Sequence, residues 1–280
     1  MCSLDGTPCL RTHRLATGVE IVIAKDLRDA FRPHKHDCYV VGITDAGVQS
    51  FRYRGAQRRA SPGEAFAIHP DETHDGQPGT DLGYSYRAIY LAPDLVSDAL
   101  ETLNAPFVLE SINRDEAFIM ALQGFFDLTS LPQDDLALSD GLTQLADAMQ
   151  VLSGHTGRYT KATDILLSNR IREDLYEHAF TKRPMVELER DHGLSRFAIT
   201  RLFRRRFGVS PQQFVINRRI AKARDLISDG TGLAEAAYAS GFSDQSHLTR
   251  HFIKTVGTTP NKWRNLTHVG KSGPLLHPDE

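Results

Sequence analysis

Thr200-Arg201-Leu202-Phe203 returns 49 residues later as Thr249-Arg250-His251-Phe252. Ile199 matches Leu248, Gly208 matches Gly257, and Ser210-Pro211-x-x-Phe214 matches Thr259-Pro260-x-x-Trp263. On a helix that follows Ser195, Ile199, Leu202, Phe203 and Phe207 share one face, which leaves Arg196, Phe197, Thr200, Arg201 and Arg204 on the other. In the second copy Leu248 and Phe252 point inward, while Gln245, Ser246, Thr249 and Arg250 face away. Those outward residue types can read base edges. Arg and Gln bond bidentately to guanine and adenine, and Phe or a Thr methyl touches the thymine methyl. Arg205, Arg206, Arg218 and Lys254, near helix ends, suit phosphates.

The elements that must position these residues are equally repetitive. Gly193-Leu194-Ser195 matches Gly241-Phe242-Ser243 at an offset of 48, so one residue has been inserted between the copies. In each copy a first helix, about 184–191 or 232–239, ends at a glycine able to take the left-handed conformation of a tight turn. A Ser or Asp caps a second helix, which ends at Gly208 or Gly257. A hydroxyl residue followed by proline then opens another helix. Helix, glycine turn, helix is the helix-turn-helix pattern.

A second group of candidate residues lies upstream. His34, His36 and His74 are of a type that binds metal ions or hydrogen-bonds a ligand. The order of these histidines resembles that of metal-binding cupins, which add a Glu a few residues after the second His; here Asp37 comes too soon and residues 39–43 hold no carboxylate, so the resemblance implies no metal cofactor, although a three-histidine site stays open. The histidines are read as lining a small-molecule pocket with Tyr53 and Tyr86; Tyr53, Tyr84 and Tyr86 point in or out by an alternation too short to decide.

Around them the chain reads as strands at 19–24, 38–43, 49–54, 64–68 and 84–91, separated by turn signals such as Ser61-Pro62-Gly63. Short strands at this spacing suggest a sandwich or barrel. Helical patterns follow from about Asp94. Residues 113–126 carry an apolar face of Phe118, Ile119, Leu122, Phe125 and Phe126. Residues 137–153 place Leu138, Leu142, Leu145, Met149 and Leu152 in the rhythm of a helix seam, which either pairs with a second chain or lies on its own barrel. Residues 153–160 read as a linker.

The charge is divided. Residues 161–268 hold 19 Lys+Arg against 11 Asp+Glu, and residues 1–160 hold 13 against 22, within a net charge of −2. This asymmetry suggests a polyanion partner for the basic part. No apolar run is long enough for a membrane span or a secretory signal. Three cysteines, Cys2, Cys9 and Cys38, are not a disulfide framework, which fits a cytoplasmic protein.

The segment from about 164 to 266 resembles the DNA-binding domain of AraC/XylS-type regulators. The resemblance rests on Arg219-Ile220-Ala221-x-Ala223, Leu226, Ala236-Ala237, Gly241-Phe242-Ser243, Leu248, Phe252, Lys254, Gly257, Pro260 and Trp263-Arg264. Residues 31–91 resemble the cupin-type sensor domain often fused to it, through Pro33-His34-Lys35-His36-Asp37, Gly55, Pro62-Gly63-Glu64, Ile68-His69-Pro70 and Glu72-Thr73-His74. The resemblance implies two recognition helices in one subunit, joined by a long helix at 211–228 and entering successive major grooves of double-stranded DNA. It also implies a small-molecule effector, a homodimer and contact with RNA polymerase.

The expected fold class is therefore α+β. A cupin-like β-barrel with trailing helices (1–155) precedes an all-α domain with two helix-turn-helix units (161–268), and 269–280 is expected to be a disordered tail. The expected function is effector-responsive transcription regulation without catalysis. The competing readings are a cupin metalloenzyme carrying a DNA-binding module and a repair protein with a methyl-acceptor cysteine; the last lacks a suitable cysteine context.

Overall fold

The computed structural model describes residues 8–102, 106–128, 135–153, 162–181 and 183–268. The expected linker beyond Ser153 and the expected tail at 269–280 lie outside them. The N-terminal part carries β1 (Cys9–Ala16), β2 (Val19–Leu27), β3 (Phe31–His34), β4 (Tyr39–Gly47), β5 (Gln49–Tyr53), β6 (Ala56–Ala60), β7 (Ala65–Ile68), β8 (His74–Pro78), β9 (Tyr84–Leu91) and β10 (Ile112–Asn113). They form two antiparallel sheets, β1-β2-β9-β4-β7-β10 and β3-β8-β5-β6. The five strands expected from composition are present. β1, β3, β6, β8 and β10 were not anticipated, because sequences such as His74–Pro78 carry polar and turn-forming residues and pair only because an edge is offered to them.

β4 shows how the layers are built. Val40 packs into the interior between the sheets with Val22, Phe51 and Phe66. Tyr39, Val41 and Ile43 pack on the opposite face, under helices α1 (Pro93–Ala99), α2 (Glu116–Asp127) and α3 (Asp135–Ser153). A strand covered on both faces needs an unbroken apolar run, which is why Tyr39 to Ile43 shows no alternation. The seam on α3 belongs to this outer layer. Leu145 and Met149 are fully buried within their own chain, beside Phe118, Leu122 and Phe125, and Leu138, Leu142 and Leu152 pack against them. The centre of the stripe, Leu145 and Met149, is therefore covered by the back of its own sheet. Cys9 is disulfide-bonded and Cys38 is free, so cysteine usage loses its force as a guide to compartment.

The C-terminal part is helical: α4 (Ala162–Glu177), α5 (Met185–His192), α6 (Arg196–Phe207), α7 (Pro211–Ser228), α8 (Leu233–Ala239), α9 (Gln245–Val256) and α10 (Pro260–His268). Two helix-turn-helix units, α5–α6 and α8–α9, flank the long α7. The local signals act as read. The Ser195 hydroxyl accepts from Ala198 N, the Asp244 carboxylate from His247 N, and the Ser210 hydroxyl from Gln213 N. Gly208 and Gly257 close α6 and α9 at φ of 74° and 77°. The first unit is closed by Ile199, Phe203 and Phe207 with Ile171 and Leu188. Arg219 of α7 ties the two units together. Its guanidinium donates to the carbonyls of Ala179 and Thr181 beyond α4 and to Gly241 in the second turn.

Candidate DNA-binding faces and the interdomain cavity

The outward residues fall as their spacing requires. Arg196, Phe197, Arg201 and Arg204 are exposed on α6 with Thr200 half-buried between them; Gln245, Ser246 and Arg250 are exposed on α9, again with a half-buried Thr249. Phe197 is 72% exposed, an aromatic ring offered to solvent on the same face as three arginines. Arg205 and Lys254 are also exposed.

Two expected phosphate contacts are misplaced. Arg206 is buried and its Nη2 donates to Asp98 of the N-terminal part at 2.6 Å. Arg218 lines the cavity described below and stacks over Tyr176, 4.0 Å from the ring centroid. Helical spacing marks both as off the apolar face, but the α4–α7 bundle has a further neighbour, the barrel. Arg172 pairs with Asp94, Arg224 with Glu20 at 2.5 Å and Lys262 with Asp29 at 2.9 Å. Part of the charge division in the sequence is thus satisfied within the chain rather than by an external polyanion.

Both helix-turn-helix units touch the barrel through equivalent glycines of the repeat. A Cβ added to Gly208 would lie 2.7 Å from the Pro70 ring, and one added to Gly257 would lie 2.7 Å from His34 Nδ1. At the second contact the backbones also join: Arg32 N donates to Gly257 O at 2.8 Å and Lys35 N to Lys254 O at 3.0 Å. A Gly257→Ala substitution should therefore cost more than the roughly 1–2 kcal/mol of placing a side chain in the left-handed region, because the methyl also pushes into the His34 ring. Gly193→Ala is the control, since φ there is 63° and an added Cβ meets nothing within 4 Å. We expect a clearly larger fall in Tm for Gly257→Ala; equal falls would show that the barrel contact contributes nothing.

Between the two parts lies a cavity of about 700 Å³. Its barrel wall includes His34, His36, His74, Phe66, Ile68, Tyr84, Tyr86 and Tyr90; its far wall is Arg218, Ile220, Ala221 and Arg224 of α7 with Val256 and Trp263. The three histidines and Tyr86 expected at a pocket are brought together here. Tyr53 is not: it is buried in the sheet core and its hydroxyl accepts from His69 N at 3.1 Å. The wall supplied by α7 and α10 was missed, since nothing local in their sequence shows that they cover a barrel mouth 200 residues away.

The electrostatics of the cavity follow from burial. Burial first, then the neighbouring His74, brings His34 down to about 3. His36 is held well below its ordinary value by burial, then by His34, His74 and Arg224, and burial lowers His74. All three rings are neutral near pH 7. Burial pushes the Tyr84, Tyr86 and Tyr90 phenols up, so they remain protonated donors.

Residues 17–146 match the AraC-like ligand binding domain and residues 188–266 a helix-turn-helix domain, together 130 and 79 of the 280 residues. The chain belongs to the AraC family of transcription regulators. Its relatives include the uncharacterized HTH-type transcriptional regulator YbfI of Bacillus subtilis, 25% identical over 82% of this chain and 86% of that one. The arabinose operon regulatory protein of Escherichia coli is 23% identical over 89% of each. In structure the chain is similar to ToxT of Vibrio cholerae, with a TM-score of 0.62 at 12% identity, covering 92% of this chain and 99% of that one. As a member of this family the chain is a transcription regulator with an effector-binding and a DNA-binding domain. No helix among the described residues is long and apolar enough to cross a membrane.

Proposed function

We propose that this AraC-family regulator reads duplex DNA through Arg196, Phe197, Thr200, Arg201 and Arg204 of α6 and Gln245, Ser246, Thr249 and Arg250 of α9. We also propose that the interdomain cavity holds its effector, with His34, His36, His74 and Tyr86 among the contacts. The observation that carries this reading is the composition of the cavity walls: any molecule filling it touches the barrel and α7 at once. A ligand that binds better when the two walls are in this arrangement shifts the population toward it.

The walls also bear on ligand class. Arg218 Nε, Arg224 Nε and Trp263 Nε1 are buried donors without a hydrogen-bond acceptor, on residues lining a cavity whose walls combine aromatic and aliphatic groups with the three histidines and carboxylates such as Glu20, Asp37 and Asp94. Unpaired buried donors are costly, so a small organic molecule with an apolar body for the rings and a hydrogen-bond acceptor for these donors fits best. One of the ToxT structures holds an unsaturated fatty acid.

The sensor domain is taken as 1–155 and the DNA-binding domain as 161–268. The protein works in the cytoplasm, where its DNA is, without catalysis. It acts as a homodimer that contacts RNA polymerase; since the α3 seam is used internally, pairing would involve outer-face residues such as Met120 and Val151, both exposed.

The test is a thermal-shift screen of the full-length chain against small organic acids and sugars, paired with selection from a random DNA library. A ligand at 100 times its Kd should add about 2.7 kcal/mol of stability, and Arg224→Met should abolish that gain. Selection that returns no preferred sequence, with and without the ligand, would overturn the reading of α6 and α9.

A further inference from the structure

The two helix-turn-helix units do not share a hydrophobic core. Ile199, Phe203 and Phe207 belong to one cluster, and Phe242, Leu248 and Phe252 to another. The long α7 packs into both, through Phe214 and Val215 on one side and Ile216 and Ile220 on the other. Apolar burial is non-directional, so a shared helix alone leaves the angle between the units soft. Arg219 of α7 adds direction. Its Nε donates to Ala179 O at 2.6 Å, Nη2 to Thr181 O at 2.8 Å and Nη1 to Gly241 O at 2.7 Å. Ala179 and Thr181 lie on the chain between α4 and α5, and Gly241 lies in the turn between α8 and α9. A guanidinium holds its donors in a rigid planar fork. All three bonds go to main-chain carbonyls, so the fork fixes backbones rather than side chains.

The joint is also tightly packed. Gly241 takes a φ of 79°, and a Cβ added there would lie 2.9 Å from Phe180 O and 3.2 Å from Arg219 Nε. Lys222, one turn further along α7, sits over the Phe180 ring, 4.5 Å from its centroid. The turn that leads into α9 therefore rests directly on the chain that leads into α5 and α6.

We propose that Arg219 determines which spacing between two base-pair blocks the protein accepts, as a positioning residue that holds α6 and α9 in one relative placement without reading a base itself. This rests on the assignment of α6 and α9 as the base-reading helices. One base pair added between the blocks moves the second by about 3.4 Å along the DNA and turns it by roughly a tenth of a helical turn. A joint held by three directed bonds cannot follow both displacements; one held by apolar contact alone can.

The test uses the full-length protein and the duplex selected by the wild type, rebuilt with its two blocks one or two base pairs closer together or further apart. The wild type should lose roughly tenfold in affinity for each base pair of change, the scale of a mismatch within a block. Arg219→Gln should bind all spacings within about threefold of one another, while the base preferences inside each block stay as they were. Arg219→Lys keeps the charge but not the fork and should behave like Arg219→Gln, which separates geometry from electrostatic attraction to DNA. Gly241→Ala pushes the turn off Phe180 O and should also relax or shift the spacing. Gly193→Ala carries a similar backbone strain at a φ of 63° with nothing within 4 Å of the added Cβ, and should keep the wild-type spacing. If Arg219→Gln does not fold, Arg219→Lys and the two glycine variants decide. Defined blocks in a wild type indifferent to spacing overturn the inference, as do variants at Arg219 and Gly241 that discriminate as sharply as the wild type, or equal relaxation in Gly193→Ala. A wild type that selects no defined block overturns the reading of α6 and α9 instead.

Discussion

Leu145→Asp should unfold the N-terminal domain rather than yield a stable protein of altered assembly. Leu145 is fully buried among Phe118, Leu122, Phe125 and Met149. The substitution removes a core side chain, at about 2–5 kcal/mol, and places a carboxylate where no donor is available, which adds several kcal/mol more. Domains of this size are stable by about 5–15 kcal/mol in total, so most of the margin disappears. The expected result is insoluble protein, or soluble protein without a cooperative melting transition. A folded monomer that still responds to ligand would instead place Leu145 on a surface. Val151→Asp is the matching probe of the outer face of the same helix. Val151 is 78% exposed, so this change should leave Tm nearly unchanged and alter only the sedimentation coefficient if the protein pairs there.

Arg201→Ala and Arg250→Ala should each weaken specific DNA binding by about 1–3 kcal/mol, that of a lost bidentate contact to guanine. Their signatures should differ in position. Each relaxes selectivity over a few base pairs, and the two affected stretches lie about one helical turn apart because each helix enters its own major groove. Arg205→Ala should behave otherwise, lowering affinity for all sequences alike and reducing the salt dependence, as expected for a phosphate contact. Arg206→Ala separates the fold from the interface. Its partner is Asp98 rather than DNA, so the salt slope should stay unchanged while Tm falls. Random-library selection at two salt concentrations measures all four. Loss of selectivity at the same base pairs in Arg201→Ala and Arg250→Ala would contradict two separate recognition helices.

The C-terminal half was legible because its determinants are local. Caps, left-handed glycines and the 3.6-residue period act within a few residues, so Ser195, Gly208, Asp244 and Gly257 could be placed without knowing what surrounded them, and the 49-residue repeat confirmed each assignment with a second copy. The long α7 ran from Pro211 to Ser228 as its Ser-Pro start suggested. The strands with β-branched and aromatic residues were equally plain. Those made of polar residues, such as β6 and β8, were not, because an edge strand is decided by the neighbour that pairs with it.

What stayed hidden depended on contacts between residues far apart in the chain. An apolar stripe on a helix states that the helix must be covered but not by what, and for α3 the back of the sheet reached Leu145 first. An arginine off the apolar face is free only if nothing else packs there, and the N-terminal part meets Arg206 through Asp98 of α1 and Arg224 through Glu20 of β2. The three histidines were visible as a set, but the tautomers of His34 and His74 come from the backbone carbonyls of Arg32 and Glu72, set by the pairing of β3 with β8. Residue types and their periodicity fix which groups are available. Whether they meet is set by the packing of the barrel against α7 and α9, where the cavity and its link to the second recognition helix arise.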